Sequence, residues 1–149
     1  SGCSNYGNIT CSAPLQAKHT AIGGIAGQTG NGAITIYDSY NEGNISAEVA
    51  SNVENLFLGG IGGTFGTTPS LYGCINKGDI AKVGEIGNAY GATLLGRSGG
   101  STTVIKDCKV AGTVFGIPIT AENFADYLCA TYSNSKPSKV LEGNSFLSE

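Results

Sequence analysis

Charge is scarce in this sequence. Only 13% of its 149 residues are charged, and eight basic residues against eleven acids leave a net charge of −3. Eight lysines and arginines do not make a phosphate-binding surface, so nucleic acid is not an expected partner. Histidine occurs once, as His19, with no acid in phase beside it. That removes a Ser/His/Asp triad and a histidine-based metal cluster. No apolar run approaches the roughly 18 residues of a transmembrane helix, and no signal peptide is visible. The five cysteines (Cys3, Cys11, Cys74, Cys108, Cys129) contain no CxxC pair. Neither GxGxxG nor GxxxxGK[ST] leads into a helix, which argues against a nucleotide, and the GGxGxDx carboxylate run of calcium-binding repeats is absent. No cofactor and no metal is expected.

What the sequence has is glycine, 24 of 149 residues, and one phrase written four times. CSNYGNIT at Cys3 returns as SYNEGNIS at Ser39, CINKGDIA at Cys74 and, more loosely, CKVAGTVF at Cys108. With Cys3, Ser39, Cys74 and Cys108 as position zero, the spacings are 36, 35 and 34. Two residues on stand Asn5, Asn41, Asn76 and Val110. Four on stand Gly7, Gly43, Gly78 and Gly112, and six on stand Ile9, Ile45, Ile80 and Val114. A second phrase shares the period: GGIAG (Gly23–Gly27), GGIGG (Gly59–Gly63) and ATLLG (Ala92–Gly96). Three residues before position zero lie Ile36, Leu71 and Ile105.

Each unit thus holds three short apolar runs bounded by glycine, asparagine or serine, which reads as three strands. Such a unit cannot bury its apolar positions alone, but stacked copies at the strand spacing of about 4.8 Å bury them against one another. The expected fold is all-β: a parallel β-solenoid, of the right-handed β-helix kind, with about four coils of ~35 residues. Residues 1–116 form the repeat region. Residues 117–149 supply a capping helix and tail of the same domain. Thr120 is the N-cap candidate of a helix over Thr120–Cys129, with Phe124, Tyr127 and Leu128 at helical spacing. Ile117-Pro118-Ile119 leads into it. The tail from Ser133 to Glu149, with Val140, Leu141 and Phe146 as anchors, is expected to fold back along the coils or fray.

Asn-x-Gly is turn chemistry, so a corner belongs there, with the glycine taking positive φ and the asparagines stacking amide on amide. The paired glycines mark a tight bend or close backbone approach. Three cysteines on one repeat position read as small buried hydrophobes rather than redox groups. Cys74 and Cys108 are expected to be stacked free thiols, and no pairing of Cys11 with Cys129 can be assigned from sequence. Ser-Gly-Cys at the start looks like the end of a lipobox, but Cys3 sits on the repeat phase and needs no lipid to explain it. A chain that begins inside a repeat unit reads as part of a longer one.

Gly24-Ile25-Ala26-Gly27 and Gly60-Ile61-Gly62-Gly63 resemble the glycine-leucine-any-glycine core of GLUG-type repeats, which the Cys-x-Asn-x-Gly-x-Ile phrase commonly accompanies. The resemblance covers roughly residues 3–116. Thr93-Leu94-Leu95-Gly96 keeps only the last glycine, so the last unit departs from the pattern. The resemblance implies an extracellular or surface-attached bacterial protein, outer-membrane anchorage of the parent included, in which such repeats act as stalk, spacer or adhesion module. It carries no catalytic residues. Implied partners are adjacent repeats of a longer chain, and host or microbial glycans or surface proteins.

The competing reading is a fragment of a carbohydrate-active β-helix enzyme. Glycoside hydrolysis needs two carboxylates. Asp38 and Asp107 each precede position zero, two coils apart with Gly73 between, which puts their backbones roughly 9–10 Å apart by twice the strand spacing. Aspartate is ordinary at turns, and that reading is preferred. Asp79 and Glu42 flank corner glycines singly and read as solvated. Tyr37 and Tyr72 share a repeat position that Lys106 continues. With Tyr6, Tyr40 and Tyr90 they are candidates for stacking on sugar rings, although a tyrosine row more often flanks a core.

Overall fold

The computed structural model describes residues 1–13, 19–49, 54–84, 88–100, 102–132 and 138–148. They form a β-solenoid of about four coils, its sheets built by stacking equivalent residues of successive coils, with one antiparallel return strand added at the edge of one sheet. A full coil contains five short strands rather than three. In the second coil these are Tyr40–Asn41, Ile45–Val49, Asn55–Gly59, Gly62–Phe65 and Pro69–Tyr72. The glycine phrase splits into two strands because it holds a corner: Gly59 ends one strand and Gly62 opens the next. Pairing is parallel and follows the sequence period: Ile9 beside Ile45, Ile45 beside Ile80, Ile80 beside Val114.

The interior is a set of columns. Ile45 and Ile80 are fully buried, as are Leu71, Ile105, Ile61 and Leu94. Such columns run along the axis because the side-chain alternation of each strand repeats in every coil. The asparagine column is equally interior. Asn5 Nδ2 donates to Asn41 Oδ1 at 2.8 Å and Asn41 Nδ2 to Asn76 Oδ1 at 2.7 Å. Each carboxamide also donates to the carbonyl of the glycine two residues on, Gly7, Gly43 or Gly78. Asn41 and Asn76 are fully buried, and these bonds supply the partners that burial demands. A Cβ on Gly24 would strike the Asn41 carboxamide, and one on Gly60 that of Asn76. In the next coil Val110 stands for the asparagine and Thr93 for the glycine, so the two positions change together.

The glycine four residues after position zero is required for a different reason from the expected one. Gly7, Gly43 and Gly78 do not have positive φ; only Gly112 does, at 85°. A Cβ on Gly43 would instead enter the Gly7 carbonyl, and one on Gly78 the Gly43 carbonyl. The left-handed corner lies one residue before position zero. There Gly2, Asp38, Gly73, Asp107 and Gly143 have φ of 66°, 49°, 63°, 55° and 66°.

The fourth coil departs from the others after Val114. Phe115 and Gly116, both at positive φ, reverse the chain so that Ile117–Pro118 pairs antiparallel with Thr113–Val114. Positive φ at both central residues defines the tight hairpin turn that matches strand twist. Pro118 lacks a donor, which blunts that sheet edge. The helix expected over Thr120–Cys129 is a single 3-10 turn, Phe124–Tyr127. Its carbonyls are claimed elsewhere: Tyr127 O accepts from Thr93 N–H and Leu128 O from Leu95 N–H. Tyr127 and Leu128 therefore occupy the coil positions of Thr93 and Leu94. Of the tail, residues 133–137 and 149 lie outside the described residues. Ser138–Glu142 and Ser145–Phe146 neither fray nor double back; they continue two sheets as the next rung, Leu141 beside Ile105 and Phe146 beside Val110.

The glycine column yields an internal control. Gly43→Ala should cost about 3 kcal/mol or more, because backbone must move to admit the methyl group. Gly7→Ala, with its nearest atom 4.0 Å away, should change stability by less than about 0.5 kcal/mol. Urea denaturation of both variants checks this. Equal losses would sink the steric account.

Candidate functional site

The left-handed corner brings the sequence's candidate residues onto one outer surface. Tyr37 and Tyr72 precede it in neighbouring coils, in register, with rings 5.2 Å apart and 16° from parallel. Tyr37 is 48% exposed. The row continues as Lys106 and Glu142, which form an ion pair at 2.9 Å. The Glu142 carboxylate raises the Lys106 pKa above its ordinary value. On the other side of the corner Tyr6 lies against Tyr40, ring centroids 5.5 Å apart. Tyr40 Oη donates to Glu42 at 2.5 Å, and Lys77 Nζ sits 5.6 Å from the Tyr40 ring centroid. The bond to Glu42 raises the Tyr40 pKa. Glu42 is therefore engaged rather than simply solvated.

Asp38 and Asp107 lie on that corner, both exposed. Their carboxylates do not converge. Asp38 Oδ1 covers the α-carbon of Gly73 and Asp107 Oδ1 that of Gly143, each in the space a Cβ would take. The Gly-Asp-Gly-Asp-Gly alternation thus has a steric cause: an aspartate in one coil needs a glycine in the next. Asp79 is also occupied. Its Oδ1 accepts from Thr113 N–H at 2.9 Å, as Asn44 Oδ1 accepts from Asp79 N–H and Asn8 Oδ1 from Asn44 N–H, both at 2.9 Å. This second polar column, five residues after position zero, was readable as Asn8, Asn44, Asp79 and Thr113 in the sequence.

The position-zero column is built of small donors. Ser39 Oγ donates to Tyr37 O at 3.0 Å, and Cys108 Sγ lies 3.3 Å from Lys106 O. Cys74 Sγ lies 3.6 Å from both Tyr72 O and Ile36 O. Asn144 ends the column, donating to Ile105 O and accepting from Cys108 N–H, both at 2.9 Å. All five cysteines are free thiols; Cys3 is exposed, and Cys74, Cys108 and Cys129 are buried. The neighbouring Cys74 thiol and burial together hold the Cys108 pKa far above its ordinary value. Burial pushes the Cys129 thiol up to about 11, opposed by Lys139.

Tyr90 does not join the exposed row. It stacks on Phe57 at 5.4 Å, with Tyr132 edge-on to both and the Arg97 guanidinium 4.7 Å from the Tyr132 ring centroid. His19 packs 5.9 Å from Phe57, its Nδ1 3.2 Å from Asn55 Nδ2. The shared offset of Phe57 and Tyr90, two residues before Gly59 and Ala92, was the available signal for this outer cluster. An open hollow of about 320 Å³ lies beside Lys77, Ile119, Phe146 and Leu147. Among the described residues no group of three or more His, Cys, Asp and Glu side chains converges as a metal site, and no helix is long and apolar enough to cross a membrane. Comparison with protein-family models, with curated proteins and with solved structures finds no match.

The buried Cys129 thiol fixes a pH dependence. Cys129 titrates at about 11 in the folded chain against an ordinary 9.0. The folded state thus keeps a proton that the unfolded chain releases. That contribution is full below pH 9 and is lost as pH rises through 11, by on the order of 2 kcal/mol. Urea denaturation between pH 8 and 11 should show a smaller loss for Cys129→Ala than for the native chain. Equal slopes would refute the assignment.

Proposed function

We propose that this chain is a non-enzymatic repeat module of an extracellular bacterial surface protein, giving length as stalk or spacer and offering an adhesion surface. The supporting observation is how the repeat spends its polar side chains. The asparagine column bonds to itself and to the Gly7, Gly43 and Gly78 carbonyls. The Asn8, Asn44 and Asp79 column bonds to the next coil's backbone. Asp38 and Asp107 each cover a glycine. Those groups build the stack, and a unit that stacks on its own copies sets a length by its copy number. The GLUG-like phrases agree with this reading.

Adhesion is assigned to the corner surface that carries Tyr37, Tyr72, Tyr6 and Tyr40. These rings rest against one another in pairs, Tyr37 stacked on Tyr72 and Tyr6 tilted against Tyr40, so little side-chain entropy is lost on contact. Glycans, or a surface protein displaying them, are the partners that such rings fit.

A glycan array is the test. Glycans retained by the native chain should bind about tenfold more weakly to Tyr37→Ala and Tyr72→Ala, with little loss of stability. Asp38→Asn and Asp107→Asn should leave retention unchanged, and no reducing ends should be released. Cleavage of a bound glycan that Asp38→Asn abolishes would favour the enzyme instead.

A further inference from the structure

We propose that the open end of the first coil is a docking surface for one kind of partner: another coil of this repeat, laid parallel on it, with asparagine two residues and asparagine or aspartate five residues after its position zero. The proposal rests on the repeat-module reading and adds what the module joins and by which groups.

The first observation is polarity. In the asparagine column every Nδ2 points toward the following coil and every Oδ1 toward the preceding one. Asn5 Oδ1 therefore faces the open end, and no donor reaches it among the described residues. In the second column each side-chain oxygen accepts from the following coil's N–H, at Asn44, Asp79 and Thr113. Asn8 N–H is the corresponding donor of the first coil, and among the described residues no carboxamide meets it. The open end thus asks for a carboxamide donor at one point and an Asx acceptor at another. These are the groups a coil of this repeat presents on the side that faces its successor.

Glycine makes the second observation. Gly43 and Gly78 are glycines because a carbonyl of the preceding coil occupies their Cβ positions, and Gly66 and Gly99 because Gly30 O and Gly66 O lie 2.8 and 2.9 Å from theirs. Gly7 and Gly30 head these two columns. Neither has positive φ, Gly7 has no neighbouring atom closer than 4.0 Å, and Gly30 has none within 4 Å. Nothing in this fold requires glycine at either place; a stacked coil would require it at both.

Burial agrees. Ile9, Ile25 and Ile34 are half-buried, whereas Ile45, Ile61 and Pro69, which stack on them, are buried. The first coil's strands lie at the edge of all five sheets. A second copy does not fit end to end. Rung against rung, Asn5 Oδ1 would meet its own twin, acceptor against acceptor. The far end of a copy offers Phe146 in place of asparagine, and its Ile117–Pro118 return strand blocks the neighbouring sheet.

The test adds one coil to the full chain. A copy of residues 39–71 is joined directly to Ser1, so that Leu71-Ser1-Gly2-Cys3 reproduces Leu71-Tyr72-Gly73-Cys74. Hydrogen exchange of the amides of residues 6–10 should slow by about tenfold or more, and Tm should rise. A one-residue slip at the junction should remove both effects, because it turns the side chains to the wrong face. So should alanine at the added copies of Asn41 and Asn44. Gly7→Ala should be silent in the native chain and should cancel the gain in the extended one. Three results would overturn the proposal: unchanged exchange on adding the coil, a gain that survives Gly7→Ala, or a native-chain dimer that protects residues 6–10. None of these readouts involves a glycan, so a blank array would bear on adhesion alone.

Discussion

The axial spacing of parallel strands governs this molecule. Each coil advances by about 4.8 Å, so a residue's nearest neighbour along the axis is its own counterpart one period away. That spacing suits an amide, an aliphatic side chain or an aromatic ring stacked on its like. It admits nothing between backbones that touch. Gly43 and Gly78 follow from the second condition, since each abuts the carbonyl of the glycine one coil before it. The Asp–Gly alternation at the corner answers the same spacing: like charges directly opposite repel, and Asp38 and Asp107 are separated by the glycine that makes room for a carboxylate.

The period showed in the sequence because stacking writes it there. Ile9, Ile45, Ile80 and Val114 share one environment, so they share a residue type, and their register matches the spacing read from the sequence. The reason for the glycine did not show. Asn-x-Gly suggests a positive-φ turn from local chemistry alone, whereas the contact that demands glycine comes from a residue 36 positions away. The true left-handed corner was masked by aspartate, which tolerates that conformation and alternates with glycine there. The candidate tyrosines divided for a similar reason. Tyr37 and Tyr72 share a repeat offset and stack, while Tyr90 has the offset of Phe57 and joins it under Tyr132.

The end of the chain was harder because its repeat survives only in three dimensions. Leu128 holds the buried place of Ile61 and Leu94, yet Tyr127 and Cys129 stand where the glycine phrase should be. Without those glycines, the spacing of Phe124, Tyr127 and Leu128 reads as a helix face. Thr120 and Asn123 do exchange the reciprocal bonds of a helix start, at 2.7 and 3.3 Å. The turn stops because its next carbonyls serve Thr93 and Leu95. A helix hydrogen-bonds within itself, whereas a coil at the end of a solenoid must bond to the coil beneath. Here the second demand prevails, since leaving the N–H groups of the buried Thr93 and Leu95 unpaired would cost more than a short helix returns.

The cysteines fit the same logic. Position zero follows the left-handed corner, where the chain turns inward and the carbonyl two residues back is within reach of a short donor. Ser39 reaches it with a hydroxyl, Cys74 and Cys108 with thiols, and Asn144 uses an amide to reach the carbonyl three residues before its counterpart, Cys108. Serine, cysteine and asparagine have little in common chemically beyond small size and a donor. Their interchange at one site identifies the requirement as a short donor in a confined column. A thiol meets that requirement with the least desolvation, being a weak donor that otherwise behaves as a small hydrophobe. Thiols fill the column where it is fully enclosed, at Cys74 and Cys108, and also at its exposed head, Cys3, while Ser39, between Cys3 and Cys74, is as buried as the inner thiols; the column therefore selects for size and reach before it selects for polarity.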